Sequence, residues 1–184
     1  MNPVVVAPLS KAKIEEYAVQ VRRTLGYDDH QAVEMLKLIE LQLPDALEGF
    51  WYDIVPNSEL GDAEATTSMN ERCIRISERC YRALSDGHLR YQFTLAHELG
   101  HLLLHTGRRV ELARGAVKPY RDPEWQADCF AAAFLAPADS VRRCLSADEI
   151  SARFKITKAA ATVRASKLGL PFAMDKGPSM RQTP

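Results

Sequence analysis

The sequence predicts an α+β fold that is predominantly helical, with a small antiparallel three-stranded sheet and a helix-turn-helix-like segment near the C-terminus. Apolar residues recur at helical spacing through most of the chain, whereas aromatic and β-branched residues gather between positions 50 and 77. The chain has 184 residues, of which 46% are hydrophobic, and this suits one domain or a domain with a small appendage. We expect a main domain at residues 1–139, a helical segment at 140–170 packed on or appended to it, and a disordered tail at 171–184.

Composition and charge exclude several classes of protein. The 24 Lys and Arg residues balance 24 Asp and Glu residues, which argues against a basic protein that coats nucleic acid and against an acidic disordered chain. No apolar run reaches the roughly 18 residues of a membrane-spanning helix, and the N-terminus lacks the basic region of a secretion signal. The four cysteines include no CxxC pair. We therefore expect reduced thiols in a cytoplasmic protein that makes no membrane contact.

Two helices are predicted in the first part of the chain. Ser10 can cap the first, whose apolar residues recur at helical spacing up to Gly26, a residue type common at helix C-terminal ends. Asp28 or Asp29 can cap the second. Pro44 is expected to end it, because proline lacks the N–H group that an interior helix position needs.

Three short runs rich in aromatic and β-branched residues predict the strands. They occupy residues 50–55, 64–69 and 73–77. The last two flank the polar residues 70–72, which indicates a hairpin. We expect the three strands to form one antiparallel sheet.

Two longer helices are predicted in the second half of the chain. The first extends from about Asp86 to Gly107 with apolar residues at helical spacing. A loop leads from it to Asp122 and Pro123, an N-cap residue followed by proline at the first helical position. The helix that begins there is expected to end at Pro137.

The first of these helices contains a metal-binding pattern. Residues 97–101 read His-Glu-Leu-Gly-His, which is the HExxH pattern. On a helix His97 and His101 lie one turn apart on the same face, so both imidazoles can reach one metal ion. Glu98 can approach a water molecule beside that ion, so we predict that it is the general base of a hydrolytic reaction.

The second helix supplies two carboxylates at the same four-residue spacing as the two histidines. Glu124 and Asp128 lie four residues apart and therefore on one helix face. A catalytic zinc site needs three protein ligands, and Glu124 can be the third beside the two histidines. Asp128 can accept the second ring proton of His97 and so fix its tautomer. We therefore predict a bound Zn²⁺ ion that polarises the scissile carbonyl and lowers the pKa of water.

Other residues near the motif have roles that the sequence leaves open. His105 continues the histidine spacing but has drifted around the helix, so it can pack or hydrogen-bond near the site, or contact substrate. Tyr91, Tyr120 and Arg121 are, together with His105, candidates for stabilising the oxyanion. Gly107 stands where a metzincin would place its third histidine, so that subclass is excluded.

Two blocks of the sequence together resemble the ImmA/IrrE family of bacterial and phage metallopeptidases. The first block is FTLAHELGHLLLH at residues 93–105, and the second is EWQADCFAAAFLAP at residues 124–137. Ala136 stands where a methionine is frequent in the family. We expect this departure to affect packing rather than chemistry.

The resemblance implies a zincin-like, thermolysin-like core and a function. In such a core His97, His101 and Glu124 bind zinc. Glu98 is then the base. The resemblance also implies a substrate, an XRE-type helix-turn-helix transcriptional repressor, which is cleaved to derepress stress, immunity or mobile-element genes.

Residues 150–170 read as two short helices joined by a tight turn at 155–157, a pattern typical of a helix-turn-helix. Ser146 can cap the first helix and Thr157 the second. Gly169 is expected to close the pair.

The C-terminal segment is also basic. From residue 140 onward, nine Lys or Arg residues stand against three acidic ones. The second short helix carries Lys158, Arg164 and Lys167, which could contact DNA or a partner protein. The segment could instead pack on the main domain with a solvated basic face, or dock the repressor substrate.

These observations support two functions of different classes. The first is a zinc-dependent endopeptidase that cleaves a partner protein inside the cell. The second is a DNA-binding or protein-binding regulator, such as one half of a toxin-antitoxin-like pair, that retains the zinc fold without proteolysis. A purely structural zinc domain would need a fourth ligand, for which His105 could be offered. The sequence leaves the oligomeric state open.

Overall fold

The computed structural model describes residues 4–68, 70–107, 111–112 and 116–173. The predicted fold class is confirmed: the protein is α+β and predominantly helical, with one small three-stranded sheet. Among the described residues, no helix combines the length and the apolar character needed to cross a bilayer. Most of the tail that we expected to be disordered lies outside the described residues.

The first helix, α1 (Lys11–Thr24), has the predicted boundaries. The Ser10 hydroxyl accepts a hydrogen bond from the backbone N–H of Lys13, and Gly26 adopts a positive φ of 81° just beyond the helix. Such a conformation is favourable for glycine because it has no Cβ atom. Local capping residues therefore set both ends of α1.

The second predicted helix is shorter and begins later than expected. The Asp28 carboxylate accepts hydrogen bonds from the N–H groups of His30 and Gln31, and this closes a turn rather than a helix. The helical region comprises α2 (Met35–Lys37), a π-helical turn (Leu38–Gln42) and α3 (Leu43–Ala46).

Pro44 does not end this region, which corrects a second detail of the prediction. It lies in the first turn of α3, where a missing N–H group breaks no helical hydrogen bond. In the preceding π turn the Leu43 N–H donates to the carbonyl of Leu38, five residues back. A new α-helical turn then begins at Leu43, with the proline at its second position.

The sheet contains β2 (Trp51–Val55), β3 (Ala65–Thr67) and β4 (Cys73–Ser77), in the order β2-β4-β3. The predicted antiparallel hairpin of β3 and β4 is present. The prediction of a wholly antiparallel sheet is wrong, because β2 pairs with β4 in parallel. The chain passes through a short helix, α4 (Asn57–Leu60), and β4 then inserts between the other two strands. β4 occupies the centre because most of its side chains, on both faces, are buried.

The two helices that carry the motifs follow. A helix that the sequence did not predict, α5 (Glu78–Ser85), ends before Gly87, whose φ is +85°. The motif helix α6 (Arg90–His105) therefore begins later than Asp86, where we expected it. The next long helix, α7 (Pro123–Leu135), begins as predicted, because the Asp122 carboxylate accepts a hydrogen bond from the N–H of Glu124.

The C-terminal segment forms α8 (Ala138–Val141), α9 (Ala147–Phe154) and α10 (Lys158–Lys167). Ser146 and Thr157 cap α9 and α10 as predicted. Lys155 closes the turn between them in a left-handed conformation, with φ of 51°. Buried side chains of α9 and α10 belong to the same hydrophobic core as those of α6 and α7, so the segment packs on the main domain.

The described residues also include two short 3-10 helices, Pro119–Arg121 and Pro171–Ala173, and a second, two-stranded sheet. Strand β1 (Val4–Val5) pairs antiparallel with β5 (Glu111–Leu112).

The four cysteines form no disulfide. Burial raises the pKa of each thiol, so these groups are protonated at neutral pH, as expected for structural thiols.

Arg22 of α1 fixes the C-terminal end of α7. Its side chain is fully buried, and its guanidinium donates hydrogen bonds to the carbonyl oxygens of Phe134, Asp28 and Gln31 at 2.5 to 2.7 Å. Burial lowers its pKa to about 10, which leaves the group charged at neutral pH. The positive charge lies at the C-terminal end of α7, which is the negative end of the helix dipole.

We expect Arg22→Met to lower the free energy of unfolding by at least about 3 kcal/mol, because three carbonyl groups lose their donor. Arg23→Met is the matched control: this neighbour is exposed and pairs with Asp29 at the surface, so its loss should be below about 1 kcal/mol. Urea denaturation of both variants under the same metal conditions measures the difference. Equal losses would refute the role assigned to Arg22.

Candidate metal centre

Helices α6 and α7 bring together the three predicted ligands. His97 and His101 lie one turn apart on α6, and Glu124 lies in the first turn of α7. Their donor atoms all lie within 4.8 Å of one another. The Nε2 atoms of the two histidines are 2.9 Å apart, and the Glu124 carboxylate oxygens are 3.2 Å from His97 Nε2 and 3.3 Å from His101 Nε2.

This donor set fits a zinc ion. In a tetrahedral site with ligands 2.0–2.1 Å from zinc, neighbouring ligand atoms lie about 3.3 Å apart. The three measured separations, from 2.9 to 3.3 Å, are close to that value. Two imidazole nitrogens and a carboxylate that face one point also form the common ligand set of catalytic zinc. His97, His101 and Glu124 could therefore hold the ion.

The carboxylates around His97 favour positive charge at this point. Asp128 Oδ1 lies 2.9 Å from His97 Nδ1, on the side of the ring away from Glu124. Burial acts to lower the pKa of His97, but hydrogen bonds to Asp128 and Glu124 outweigh it and raise the pKa to about 10. The pKa of Glu124 is lowered by its hydrogen bonds with His101 and His97. Both shifts arise because the carboxylates and imidazoles of the site hydrogen-bond to one another.

Glu98 is buried beside the ligands and contacts the sheet. The Thr67 hydroxyl, on the edge strand β3, lies 2.8 Å from the Glu98 carboxylate and 2.8 Å from its backbone carbonyl. Burial raises the pKa of Glu98, and the Thr67 hydrogen bond opposes this rise. A carboxylate held near a metal site with a raised pKa is suited to accept and return a proton.

His105 does not take the exposed position that an oxyanion or substrate contact would require. It is 1% exposed. Its Nδ1 atom lies 3.1 Å from His101 Nδ1, and its Nε2 atom lies 3.1 Å from Gln126 Oε1. Because both ring nitrogens are engaged inside the protein, the structure supports the other role that the sequence left open, hydrogen bonding near the site.

The remaining oxyanion candidates, Tyr91, Tyr120 and Arg121, contact other parts of the described chain. Tyr91 is almost two helical turns before the first histidine and on another face of α6, with its ring beside the Arg90 guanidinium. The Tyr120 ring is exposed and lies near Lys118. Arg121 forms an ion pair with Glu111. Among the contacts of the described residues, none joins these three side chains to the ligands.

The C-terminal residues that we offered as DNA or partner contacts differ in position. Arg164 is 4% exposed, and its guanidinium donates to the Ala136 carbonyl and to Glu15. In this structure the Arg164 guanidinium is therefore engaged inside the protein, and its role as a DNA or partner contact stays a prediction. Lys158 is exposed and pairs with Asp148, and Lys167 is exposed.

A cleft begins at Asp128, the hydrogen-bond partner of His97. It has a volume of about 310 Å³ and shares Asp128 with the metal site. Its walls come from α6, α7 and α10 and are mostly apolar, with Phe93, Leu135 and Val163 among them and Lys167 beside them. An apolar cleft next to a reactive centre is a typical position for binding part of a ligand.

Sequence reasoning missed Thr67 and Gln126. Thr67 lies 31 residues before Glu98 and reaches it only through the packing of β3 on α6. Gln126 lies between Glu124 and Asp128 but points to the opposite side of α7, where its amide donates to backbone carbonyls. No local spacing rule identifies either residue.

Comparisons with known proteins identify the family of this chain. The family model Peptidase_M78, described as the IrrE N-terminal-like domain, matches residues 64–166, which is more than half of the chain. No curated protein matches this chain significantly in sequence. A solved structure described as a Mycobacterium tuberculosis transcriptional regulator is similar, with a TM-score of 0.58 and 16% identity. That alignment covers 87% of this chain and 48% of the other.

The similarity to the mycobacterial regulator shows the fold alone, and this chain spans about half of that protein's length. The family match is more informative, because its residues include all of α6 and α7, and with them both histidines of the HExxH pattern and both downstream carboxylates. The chain belongs to the ImmA/IrrE family of metallopeptidases.

Proposed function

We propose that the protein is a zinc-dependent endopeptidase that cleaves a partner protein. The convergence of His97, His101 and Glu124 at one point, with the buried carboxylate of Glu98 beside it, is the observation that carries this proposal. A structural zinc site would require four protein ligands. Among the described residues only these three side chains form such a cluster, and this favours a catalytic site with an open position.

The roles of the residues follow from their contacts. When bound, Zn²⁺ acts as a Lewis acid that polarises a carbonyl group and acidifies water. Glu98 accepts the proton of the attacking water and later delivers it to the leaving amine, so that the peptide bond is hydrolysed without net proton change at the site. Thr67 holds the Glu98 carboxylate by its hydroxyl group. Asp128 holds the ring of His97.

The cleft beside Asp128 supports a polypeptide substrate. Its apolar walls suit a hydrophobic side chain, and its position next to the ligands would let that side chain bind while a neighbouring peptide bond reaches the metal site. Binding of this kind orients the substrate without taking part in the chemistry.

We further propose that the partner is an XRE-type helix-turn-helix repressor in the cytoplasm, and that cleavage derepresses stress, immunity or mobile-element genes. Membership of the ImmA/IrrE family supports this partner. The similar mycobacterial structure is described as a transcriptional regulator, which supports a regulatory context.

An alternative is a regulator that binds DNA or protein and retains the zinc fold without proteolysis. The exposed Lys158 and Lys167 of α10 favour this alternative. The burial of Arg164 weakens it, because one of the three basic residues is committed to the core. DNA binding that weakens with salt and is lost in Lys167→Ala would support it.

We expect Glu98→Gln to retain equimolar zinc and to lower the rate of cleavage by about 100- to 10,000-fold, because an amide cannot accept the proton. Cleavage is measured by co-incubation with the repressor encoded nearest to the gene, and zinc by elemental analysis. Glu16→Gln, an exposed position on α1, is the matched control and should cleave normally. Cleavage by Glu98→Gln at the wild-type rate would contradict the proposed mechanism.

We expect Glu124→Ala to lower zinc content far below that of the wild type, because one of three ligands is lost. Since an ion that binds only the folded state raises the melting temperature, a chelator should lower the melting temperature of the wild type more than that of the variant. Glu16→Ala serves as the control for loss of a surface carboxylate. Unchanged zinc content in Glu124→Ala would show that Glu124 is not a ligand.

A further inference from the structure

A chain of buried side chains leads from His101 to the backbone on the far side of α7. His101 Nδ1 lies 3.1 Å from His105 Nδ1, and His105 Nε2 lies 3.1 Å from Gln126 Oε1. The Gln126 amide nitrogen then donates to the carbonyl oxygens of Ala7 and Tyr120, at 2.9 and 2.8 Å. His105 and Gln126 are 1% and 0% exposed. The hydrolytic mechanism proposed above uses neither of these two residues.

The two carbonyl groups fix the orientation of Gln126. A carbonyl oxygen can only accept hydrogen bonds, so the amide NH₂ group must face Ala7 and Tyr120. The opposite orientation would place the amide oxygen against two carbonyl oxygens inside the protein, with no donor between them. Gln126 Oε1 therefore points towards the ring of His105 and accepts from it.

This orientation determines the tautomers of both histidines. Because Gln126 Oε1 is an acceptor, His105 carries its proton on Nε2, and its Nδ1 atom is left with a lone pair. His105 Nδ1 must then accept from His101, so His101 carries its proton on Nδ1. The lone pair of His101 is on Nε2, the atom that faces the other ligands. A metal ligand needs that lone pair.

We propose that His105 and Gln126 are positioning residues that fix the tautomer and ring orientation of His101 for metal binding, through one directed chain of hydrogen bonds that begins at the backbone carbonyls of Ala7 and Tyr120. The inference rests on the zinc site proposed above. It gives His105 a role distinct from that of a ligand, a base or a substrate contact.

The contrast with the other ligand explains why this chain is built from neutral groups. His97 is oriented by the carboxylate of Asp128, which is about half exposed and can remain hydrated. The partner of His101 is buried, and an ionised carboxylate there would carry a large desolvation cost. A neutral imidazole and a neutral amide supply the same acceptor without a buried charge.

The chain also links the ligand to the N-terminal segment. Backbone hydrogen bonds from Val6 to Arg121 and from Leu9 to Tyr120 hold the two carbonyl groups beside Gln126. Together with the pairing of β1 and β5, these bonds fix the far end of the chain. The orientation of His101 therefore depends on residues well outside the HExxH motif.

The first test uses the wild-type protein and needs no variant. Nitrogen NMR of the zinc-loaded, histidine-labelled protein at neutral pH distinguishes the two imidazole tautomers. We expect a proton on Nε2 of His105 and on Nδ1 of His101. A proton on Nδ1 of His105, or on both of its nitrogens, would overturn the proposal.

The second test measures zinc affinity by competition with a chromophoric chelator. We expect His105→Leu to weaken binding by about 10- to 100-fold, as is usual when the hydrogen-bond partner of a ligand is removed. His105→Asn should bind nearly as tightly as the wild type, because the asparagine oxygen can occupy the position of Nδ1 and accept from His101. His88→Leu, at an exposed position, controls for the loss of a histidine.

The outcomes separate this inference from the function on which it rests. A wild-type protein that binds no zinc would overturn both. Wild-type binding together with equally tight binding by His105→Leu would overturn the inference alone. Weak binding by both His105 variants would also count against it, since that result indicates a packing role rather than an acceptor role.

Discussion

The close approach of α6 and α7 at Gly100 is the constraint on which the site depends. A Cβ atom at this position would lie 3.1 Å from the Cα atom of Ala127 and 3.2 Å from its carbonyl oxygen, so a larger residue would push the helices apart. At this separation three residues of α7 make contacts with histidines of α6. Glu124 and Asp128 reach the exposed side of the motif, and Gln126 reaches its buried side. One helix thus supplies the proposed third ligand, Glu124, and two side chains, Asp128 and Gln126, that hydrogen-bond to histidines on opposite sides of the motif.

Buried polar groups hold α7 near both of its ends. Arg22 of α1 donates to the Phe134 carbonyl in the last turn of α7, and near the first turn the Gln126 amide donates to the carbonyls of Ala7 and Tyr120. Apolar packing alone tolerates small sliding of helices, whereas a buried polar group loses its partner when a helix shifts. The Gln126 side-chain oxygen also lies 3.1 Å from His105 Nε2 and so joins α7 to α6. These hydrogen bonds therefore help to fix the position of α7 beside α6 and α1.

The parts of the molecule that could be predicted depend on neighbours in sequence. Caps such as Ser10 and Asp122 act within three residues, and the spacing of the histidines follows from one helical turn. The parallel direction of β2 was not predictable, because it depends on which strand occupies the centre of the sheet. Thr67, Gln126 and the burial of Arg164 were missed for the same reason. Each is defined by a contact between elements that lie far apart in the sequence.

Charge explains how the basic C-terminal segment can pack on an acidic main domain. Arg164 of α10 pairs with Glu15 of α1, and Lys155, in the turn before α10, pairs with Glu34. Acidic residues elsewhere in the chain thus partly neutralise the basic excess beyond residue 140. The zero net charge of the sequence is reflected in these ion pairs. A phosphate could recruit Arg164 only by displacing Glu15 and exposing a buried guanidinium, which would cost the hydrogen bond to Ala136 as well. In this arrangement α10 contributes Val163, Arg164 and Lys167 to the wall of the cleft.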